Sequence, residues 1–314
     1  MQRVRFQARA VLTAAAASAA LAACSAQNAQ PLPMSTQSLP QSVRAGAAAK
    51  SLFVADPLAN EVRIFAAGVP NGPQIGAIKS GISFPQGLFI DSRGVLYVAN
   101  SRAVTEYKPG AVTPFRTLTG VNGGVSLTVD SSGTVYAGQN CSIVPAGGSI
   151  AVFEHGSTVP TRSIALQECS FMGGLTIDRA GNLIASFFQY PAKILHVQRF
   201  APGSSTGVET GIQGIAEIGA TLLTDRAGNL YADGPASVNV YAPGAKTPTR
   251  SITTGVQSPT GIALDSAGNL YVANYPGAPG ASFINEYAAG GGVPVNTFSG
   301  NLSTLAGVAV RPAQ

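Results

Sequence analysis

The sequence has few charged residues and few histidines, which limits the chemistry it can support. Only 11% of its 314 residues are charged, and it contains two histidines and three cysteines. The formal net charge is +5, but Arg3, Arg5 and Arg9 supply three of these charges. The first 23 residues contain no acidic residue, so the remainder carries 5 − 3 = +2. Because no Lys/Arg cluster occurs elsewhere, nucleic-acid binding is not expected.

The apolar stretch from Ala10 to Ala23 is too short to span a bilayer. It follows a basic start and ends in Leu21-Ala22-Ala23-Cys24. This arrangement resembles the lipobox of bacterial lipoproteins. The resemblance implies removal of residues 1–23 as a signal peptide and lipidation of Cys24. The alternative is an ordinary signal peptide cut at an Ala-x-Ala site, with no acyl group on Cys24.

A lipobox also has consequences for the residues that follow it. Residues 24–50 are rich in Gln, Ser, Ala and Pro, a composition typical of a flexible tether. Position 25 is Ser rather than the Asp that marks inner-membrane retention. We therefore expect the cell envelope as the location: the outer membrane in a Gram-negative host, otherwise the outer face of the cell membrane. Cys141 and Cys169 remain as a candidate disulfide, with two separate thiols as the alternative.

Helix-favouring stretches are nearly absent after residue 50, while Gly (37) and Pro (21) are frequent. One segment recurs, in which an apolar triplet is followed by Asp-x-x-Gly and a second apolar run. Its aspartates are Asp91, Asp130, Asp178, Asp225 and Asp265, spaced by 39, 48, 47 and 40 residues. This spacing fits a four-stranded propeller blade. Because these aspartates recur in every copy, we interpret them as turn-forming residues rather than catalytic ones. Arg311 stands at the sixth equivalent position.

A second element, an aromatic residue followed by a Gly turn, occurs six times. The aromatic residues are Phe65, Tyr107, Phe153, Phe200, Tyr241 and Tyr287. The five complete Asp segments leave one blade unaccounted for. Residues 51–56 look like a second strand without a first, and residues 307–310 look like a first strand without a second. Together they predict an all-β, six-bladed β-propeller over residues 51–314, whose C-terminal strand completes the first blade.

The repeated segments resemble the NHL repeat, and the resemblance covers about residues 51–312. It is specific for the fold and weak for function, because the family includes both enzymes and binding modules. Lactonase propellers of this kind use Glu, Asn and Asp side chains on a central metal, and related lyases use His. Here His155 and His196 are expected in a turn and on a third strand, away from the axis. The sequence contains no Ser/His/Asp set, phosphate loop or Cys-x-x-Cys pair, so no catalytic residue is assigned.

The face around the channel mouth is where we expect binding residues. Its polar candidates stand at or near the ends of second strands or before first strands: Asp56, Asn100, Asn140, Asp233 and Asn274, with Gln86 and Thr260. Their oxygens suit Ca²⁺ or another divalent cation, and they equally suit turn capping.

Two functions remain open at this point. One is a lipid-anchored, monomeric module that binds an envelope protein, peptide or glycan and needs no cofactor. The other is a metal-dependent hydrolase or lyase, in which Glu168 or Glu217 joins Asp233 or Asn274. We favour the module because catalytic histidines are missing.

Overall fold

The computed structural model describes residues 50–140, 148–166, 169–190, 192–215, 220–278, 280–300 and 302–311. Within these ranges the regular elements are strands, numbered here in chain order, and they form six four-stranded antiparallel sheets. Each sheet is one blade of a propeller, so the predicted all-β six-bladed fold is confirmed. The signal segment 1–23, Cys24, the tether up to residue 49 and Cys141 lie outside the described residues, as do Glu168 and Glu217.

The first three blades are as follows. Blade 1 contains β1 (Ser51–Asp56), β2 (Glu61–Ala66), β3 (Gln74–Ile78) and, as its inner strand, β24 (Gly307–Arg311). Blade 2 contains β4 (Leu88–Ile90), β5 (Leu96–Ala99), β6 (Val104–Tyr107) and β7 (Arg116–Leu118). Blade 3 contains β8 (Gly124–Val129), β9 (Val135–Gln139), β10 (Ser149–Phe153) and β11 (Arg162–Ala165).

The other three blades follow the same order from the inner to the outer strand. Blade 4 contains β12 (Cys169–Ile177), β13 (Leu183–Tyr190), β14 (Ile194–Phe200) and β15 (Gly207–Glu209). Blade 5 contains β16 (Leu222–Thr224), β17 (Leu230–Gly234), β18 (Ser237–Tyr241) and β19 (Arg250–Ile252). Blade 6 contains β20 (Pro259–Leu264), β21 (Leu270–Asn274), β22 (Phe283–Tyr287) and β23 (Pro294–Phe298).

The first and last described strands, β1 and β24, meet in blade 1. Strand β1 pairs with β2 on one edge and with β24 on the other, with Leu52 opposite Val310 and Val54 opposite Val308. A lysine fastens the same junction to blade 6: Lys50 Nζ contacts Asp265 and lies 3.1 Å from Glu286 Oε1. Burial alone would raise the pKa of Asp265, but hydrogen bonds from Lys50 and Asn269 hold it below its usual value. The ring is therefore closed by backbone pairing and by this buried ion pair.

The repeated aspartates form turns, as predicted. In blade 2, Asp91 Oδ1 accepts hydrogen bonds from the N–H groups of Arg93 and Val95, both at 2.9 Å, and Gly94 has a φ of 77°. Both contacts to backbone N–H groups recur at Asp130, Asp178 and Asp265, and Asp225 accepts a hydrogen bond from the N–H group of Asn229. A side chain at this glycine position would be strained at positive φ. These carboxylates are thus used by the blades themselves.

The six aromatic residues before the Gly turns are all buried, with at most 2% of their surface exposed. In three blades the residue is Tyr, and its hydroxyl donates to a carbonyl in the loop that enters its own blade from the preceding one. Tyr107 donates to Ser80 O at 2.7 Å, Tyr241 to Gln213 O at 2.7 Å and Tyr287 to Thr254 O at 2.9 Å. These bonds fix the loops that surround the channel.

The inner strands contact one another in sequence around the whole ring, from β24 through β4, β8, β12, β16 and β20 back to β24. Glycines make this contact close. A Cβ added at Gly307 would lie 2.4 Å from Gln86 O and 3.3 Å from Gly87 Cα, and one at Gly174 would lie 2.2 Å from Leu222 N. Because these neighbours are backbone atoms, no rotamer change relieves the overlap.

We predict that Gly307→Val destabilises the propeller by about 3 kcal/mol, since the side chain would force apart the inner strands of blades 1 and 2. Gly292→Val is the matched control, because a Cβ there meets no atom within 4 Å. Chemical denaturation followed by far-UV circular dichroism measures both. Equal stability of the two variants would contradict close packing at Gly307.

Candidate functional site

A channel of about 680 Å³ runs between the inner strands. Among the described residues that line it, none carries a charge, and most are apolar. Polar groups on its wall come from hydroxyls, including those of Ser126, Thr221 and Thr260, and from Gln86. The predicted positions of Gln86 and Thr260 beside the channel are therefore confirmed. The described wall offers an apolar surface with a few neutral hydrogen-bonding groups.

Three of the polar residues predicted on the channel face bind loops of their own blade. Asp56 Oδ2 accepts hydrogen bonds from Ser303 N at 3.2 Å and from Arg63 Nε at 3.2 Å. Asn100 Oδ1 accepts from Ser83 N at 2.8 Å, and Asn274 Oδ1 accepts from Gln257 N at 2.7 Å. Each side chain is at most 2% exposed. In these blades the oxygen that a metal would need already accepts an N–H group.

Asn140 makes a similar bond across a blade boundary. Its Oδ1 accepts a hydrogen bond from Met172 N in β12 at 2.8 Å. Within blade 3 the corresponding loop amide, Asn122 N, is instead bound by Gln139 Oε1 at 2.7 Å. In blade 3, therefore, Gln139 binds the loop amide, as Asn100 does in blade 2, and the following residue, Asn140, bonds to blade 4.

These candidates come from five different blades. They belong to blades 1, 2, 3, 5 and 6, and the described residues contain no group of three or more His, Cys, Asp or Glu side chains placed to hold a metal ion. Binding by Asp56, Asn100, Asn140, Asp233 and Asn274 stays a prediction. The disulfide between Cys141 and Cys169 also stays a prediction, since Cys141 and the Cys169 side chain lie outside the described part.

The two histidines lie where the sequence places them. His196 is on β14, stacks on Phe187 with ring centroids 5.0 Å apart, and contacts Glu209 Oε1 at 2.7 Å and Gln189 Oε1 at 3.0 Å. His155 follows Phe153 in an exposed turn. Neither histidine is among the described residues that line the channel.

Asp233 differs from the other candidates. The register of β16 with β17 pairs Leu222 with Ala232, so Asp233 takes the next place along the strand. The equivalent places in the other blades hold small residues: Ala55, Ala99, Gly138, Ser186 and Ala273. Asp233 is 1% exposed, and neither carboxylate oxygen has a hydrogen-bond partner in the described structure. It is an acid in a position that normally takes a small neutral side chain.

Burial raises the pKa of Asp233 well above its usual range. Thr221 is the neighbour that opposes this shift through its N–H and hydroxyl, but neither reaches hydrogen-bonding geometry. The backbone joins the same two residues, since Asp233 N donates to Thr221 O at 3.4 Å. Thr221 itself lines the channel. A single threonine therefore connects the channel wall to a buried acid that we expect to be protonated when the channel is empty.

Sequence reasoning missed the apolar rim of the channel face. Phe84 is 49% exposed, lines the channel mouth beside Leu58, and has a φ of 52°, a conformation rare for an aromatic residue. Asn60 holds it there, because Asn60 Oδ1 accepts a hydrogen bond from Phe84 N at 2.6 Å. The same conformation recurs at the equivalent positions of blades 3 and 6, Gly123 (φ 63°) and Ser258 (φ 45°), so the exposed aromatic ring rather than the backbone distinguishes this position. The pattern Phe-Pro in a loop gave no signal for it.

Blade 4 contributes the rest of the rim, because β12, β13 and β14 are longer than the corresponding strands of most other blades. Their register places Phe171, Phe188 and Leu195 in one row across three strands. Phe171 is 39% exposed, and Tyr190 and Ile194 at the tip of the hairpin are 53% and 48% exposed. We call Leu58, Phe84, Phe171, Tyr190 and Ile194 the apolar rim.

Comparison with known proteins supports the fold and leaves the family open. No protein-family model matches the sequence, and no curated protein matches it. A chain in the crystal structure of a nidogen/laminin complex is similar over 84% of this chain and 99% of its own, with 14% identity and a TM-score of 0.63. A Bacteroides caccae protein of unknown function covers 83% and 98%, with 10% identity and a TM-score of 0.62. A Xanthomonas campestris gluconolactonase covers 73% and 84%, with 15% identity and a TM-score of 0.51.

At these identities the likeness concerns the fold alone. The chain is thus a six-bladed β-propeller of the same architecture as these structures. No helix formed by the described residues is long and apolar enough to cross a membrane.

We predict that Asp233→Ala, which restores the residue found in three other blades, stabilises the protein at neutral pH by on the order of 2 kcal/mol. The folded-state pKa is raised, so the wild type loses stability as pH rises from the unfolded-state pKa toward the folded-state pKa. The gain should therefore be large at neutral pH and small below about pH 4, the ordinary pKa of Asp.

Denaturant titrations at several pH values measure this difference. Glu154→Gln removes the same charge at an exposed position and serves as the control. A pH-independent gain for Asp233→Ala would contradict the protonation argument.

Proposed function

We propose that this chain is a lipid-anchored β-propeller of the bacterial cell envelope that binds a protein partner through its channel face. The observation that carries the proposal is the apolar rim. Of the four exposed aromatic residues of the described structure, Phe84, Phe171 and Tyr190 stand on this face, while Phe115 stands elsewhere. Aromatic side chains are enriched in protein interfaces and supply much of their binding energy.

The rim is shaped as a protein-binding surface rather than a glycan-binding one. The row of Phe171, Phe188 and Leu195 is a continuous apolar strip, and Tyr190, two residues along β13 from Phe188, extends it on the same side. Ile194 adds exposed apolar surface at the hairpin tip. Glycan sites pair aromatic faces with polar groups that bind sugar hydroxyls, whereas Asp56, Asn100 and Asn274 already bind loops. The fold of a chain from a nidogen/laminin complex supports this proposal at the level of architecture.

The anchor rests on the sequence. Leu21-Ala22-Ala23-Cys24 fits a lipobox, and acylation of Cys24 would attach residues 24–50 to the membrane. A chain of this length extends at most roughly 90 Å. That reach lets the channel face turn away from the lipid and meet a partner. The repeats support assignment to the NHL type, and we propose that the molecule acts as a monomer.

We predict that a photoreactive amino acid at Tyr190 forms a discrete covalent adduct in intact cells, because this side chain stands at the centre of the proposed contact. The same group at Val159, which is 57% exposed on the opposite face, is the matched control and should form none. Phe84→Asn should reduce the Tyr190 adduct several-fold. Asparagine tolerates the positive φ at position 84, so this variant keeps the backbone while removing the ring.

Protease digestion of the adduct identifies its partner class. Shortening by protease supports a protein, whereas a resistant adduct that glycosidases degrade would overturn the proposal in favour of a glycan. Absence of any adduct from Tyr190, or equal adducts from Tyr190 and Val159, would also overturn it. Stoichiometric, tightly held divalent metal in the purified protein would instead support the metal-dependent hydrolase or lyase.

We predict that Cys24→Ala abolishes labelling by an alkyne-bearing fatty acid and releases the chain from the membrane fraction. The variant removes the residue that would carry the acyl chains, and these chains are the proposed anchor. Ser25→Ala leaves the thiol in place and should keep both properties. Unchanged membrane association of the Cys24→Ala variant would show that the lipobox assignment is wrong.

A further inference from the structure

Asp233 places a buried carboxyl group behind Thr221, in a channel wall whose described lining residues carry no charge. Elsewhere in the described structure, buried acids have cationic partners. Asp56 contacts Arg63 at 3.2 Å, Glu106 contacts Arg116 at 2.6 Å, and Glu286 contacts Lys50 at 3.1 Å. Asp233 has no such cation, and both its oxygens lack a hydrogen-bond partner. Buried polar groups without partners are rare enough to require an explanation.

The fold does not need an acidic residue at this position. In blade 4 the equivalent residue, Ser186, satisfies itself by donating to Ala220 O at 2.8 Å and accepting from Gly174 N at 2.8 Å. Alanine or glycine fills the place in the remaining blades. A carboxyl group there costs stability without forming a contact that the blade uses. Such departures from local consistency are expected at functional sites.

The carboxyl group lies one residue behind the lumen. Thr221 lines the channel, acts on the carboxylate through its hydroxyl and N–H, and accepts the Asp233 N–H at 3.4 Å. On the neighbouring blade, Thr260 also lines the channel, and its Oγ1 has no hydrogen-bond partner in the described structure. Strand β20, which carries Thr260, contacts β17, which carries Asp233. Ser126 Oγ in blade 3 also lines the channel without a partner, but among the described residues only the wall between blades 5 and 6 combines such a hydroxyl with a buried acid.

The rest of the channel suits an apolar body. Its volume of about 680 Å³ lies within the roughly 300–1,000 Å³ typical of small-molecule sites. Residues such as Leu88, Ile90 and Leu175 line it. The described lining contains no charged side chain, and the Asp233 carboxyl lies behind the lining residue Thr221.

We propose that the channel binds a small amphipathic organic cation, with the Thr221 hydroxyl receiving its ammonium group, the Asp233 carboxylate behind that hydroxyl, and the apolar part along the channel. An ionised Asp233 accepts the Thr221 hydroxyl proton, so the hydroxyl oxygen presents its lone pairs to the ammonium N–H groups. Asp233 thus acts as a positioning and electrostatic residue. A charge pair separated by one side chain is stronger beside a buried carboxylate than in bulk water, because the local dielectric is lower.

Proton balance follows from this arrangement. In the empty channel Asp233 holds its proton, because burial disfavours the charged form. When the ammonium binds, the carboxylic acid ionises and its proton leaves to solvent, so one positive charge enters as another departs. The ammonium site at Thr221 does not depend on the proposed protein partner.

The test uses three probes with the same six-carbon chain: hexylamine, 1-hexanol and hexanoate. The chain is purified with Cys24 replaced by serine, so that no acyl group or detergent competes for the probes. Calorimetry at neutral pH should show saturable binding of hexylammonium at least about tenfold tighter than that of hexanol, with hexanoate weakest. Titrations in buffers of different ionisation enthalpy should show release of about one proton per hexylammonium bound.

Variants test whether Asp233 and Thr221 cause the preference for hexylammonium over hexanol. Asp233→Asn and Thr221→Val should each lower hexylammonium affinity to that of hexanol and abolish proton release, while hexanol binding stays unchanged. Glu154→Gln, with the same charge removed at an exposed turn, should bind all three probes as the wild type does.

Three outcomes would overturn the proposal. They are no saturable binding of hexylammonium, equal affinity for hexylammonium and hexanol, and undiminished hexylammonium binding by Asp233→Asn. The second outcome would identify a plain apolar channel, in which Asp233 is satisfied by water. None of these outcomes bears on the adduct formed at Tyr190, so the two proposals fail independently.

Discussion

Close contact between the inner strands is the constraint on which the other features depend. A ring of six blades closes only if the backbones of neighbouring inner strands come into contact. This explains why glycine occupies four of the contact positions: Gly87, Gly174, Gly261 and Gly307. The same closeness forms a narrow channel and leaves little room for long side chains on its wall. The loops that connect each outer strand to the next inner strand then pass over the channel face. There, buried Asn and Asp side chains accept hydrogen bonds from the backbone N–H groups of these loops.

The repeat made the architecture predictable because each copy carries its own turn chemistry. Asp-x-x-Gly predicts a tight turn whatever the surroundings, and the aromatic–Gly element predicts a buried ring at the end of a third strand. The structure confirms both, together with the joining of residues 51–56 and 307–311 in one blade. Local signals were sufficient because every blade solves the same packing problem with the same residues.

The site was less predictable because it consists of departures from the repeat. Asp233 looked like one more strand-end acid, and only the pairing register showed that it stands where alanine stands in other blades. Phe84 gave no sequence signal, because its exposure and positive φ result from a hydrogen bond with Asn60 on another blade. Conversely, Asn100 and Asn274 suggested a ligand-binding ring, yet their geometry is that of loop anchors.

Asp233 and Phe84 share a thermodynamic character that separates them from the rest of the molecule. One is a buried acid without a partner, and the other is an aromatic residue in a conformation that favours glycine or asparagine. The buried acid lowers the stability of the empty protein, and alanine takes its place in three other blades. A local cost in stability is common where a residue serves function. The two residues also lie at different depths, one behind the channel wall and one at its mouth, so a ligand in the channel and a partner on the rim need not compete.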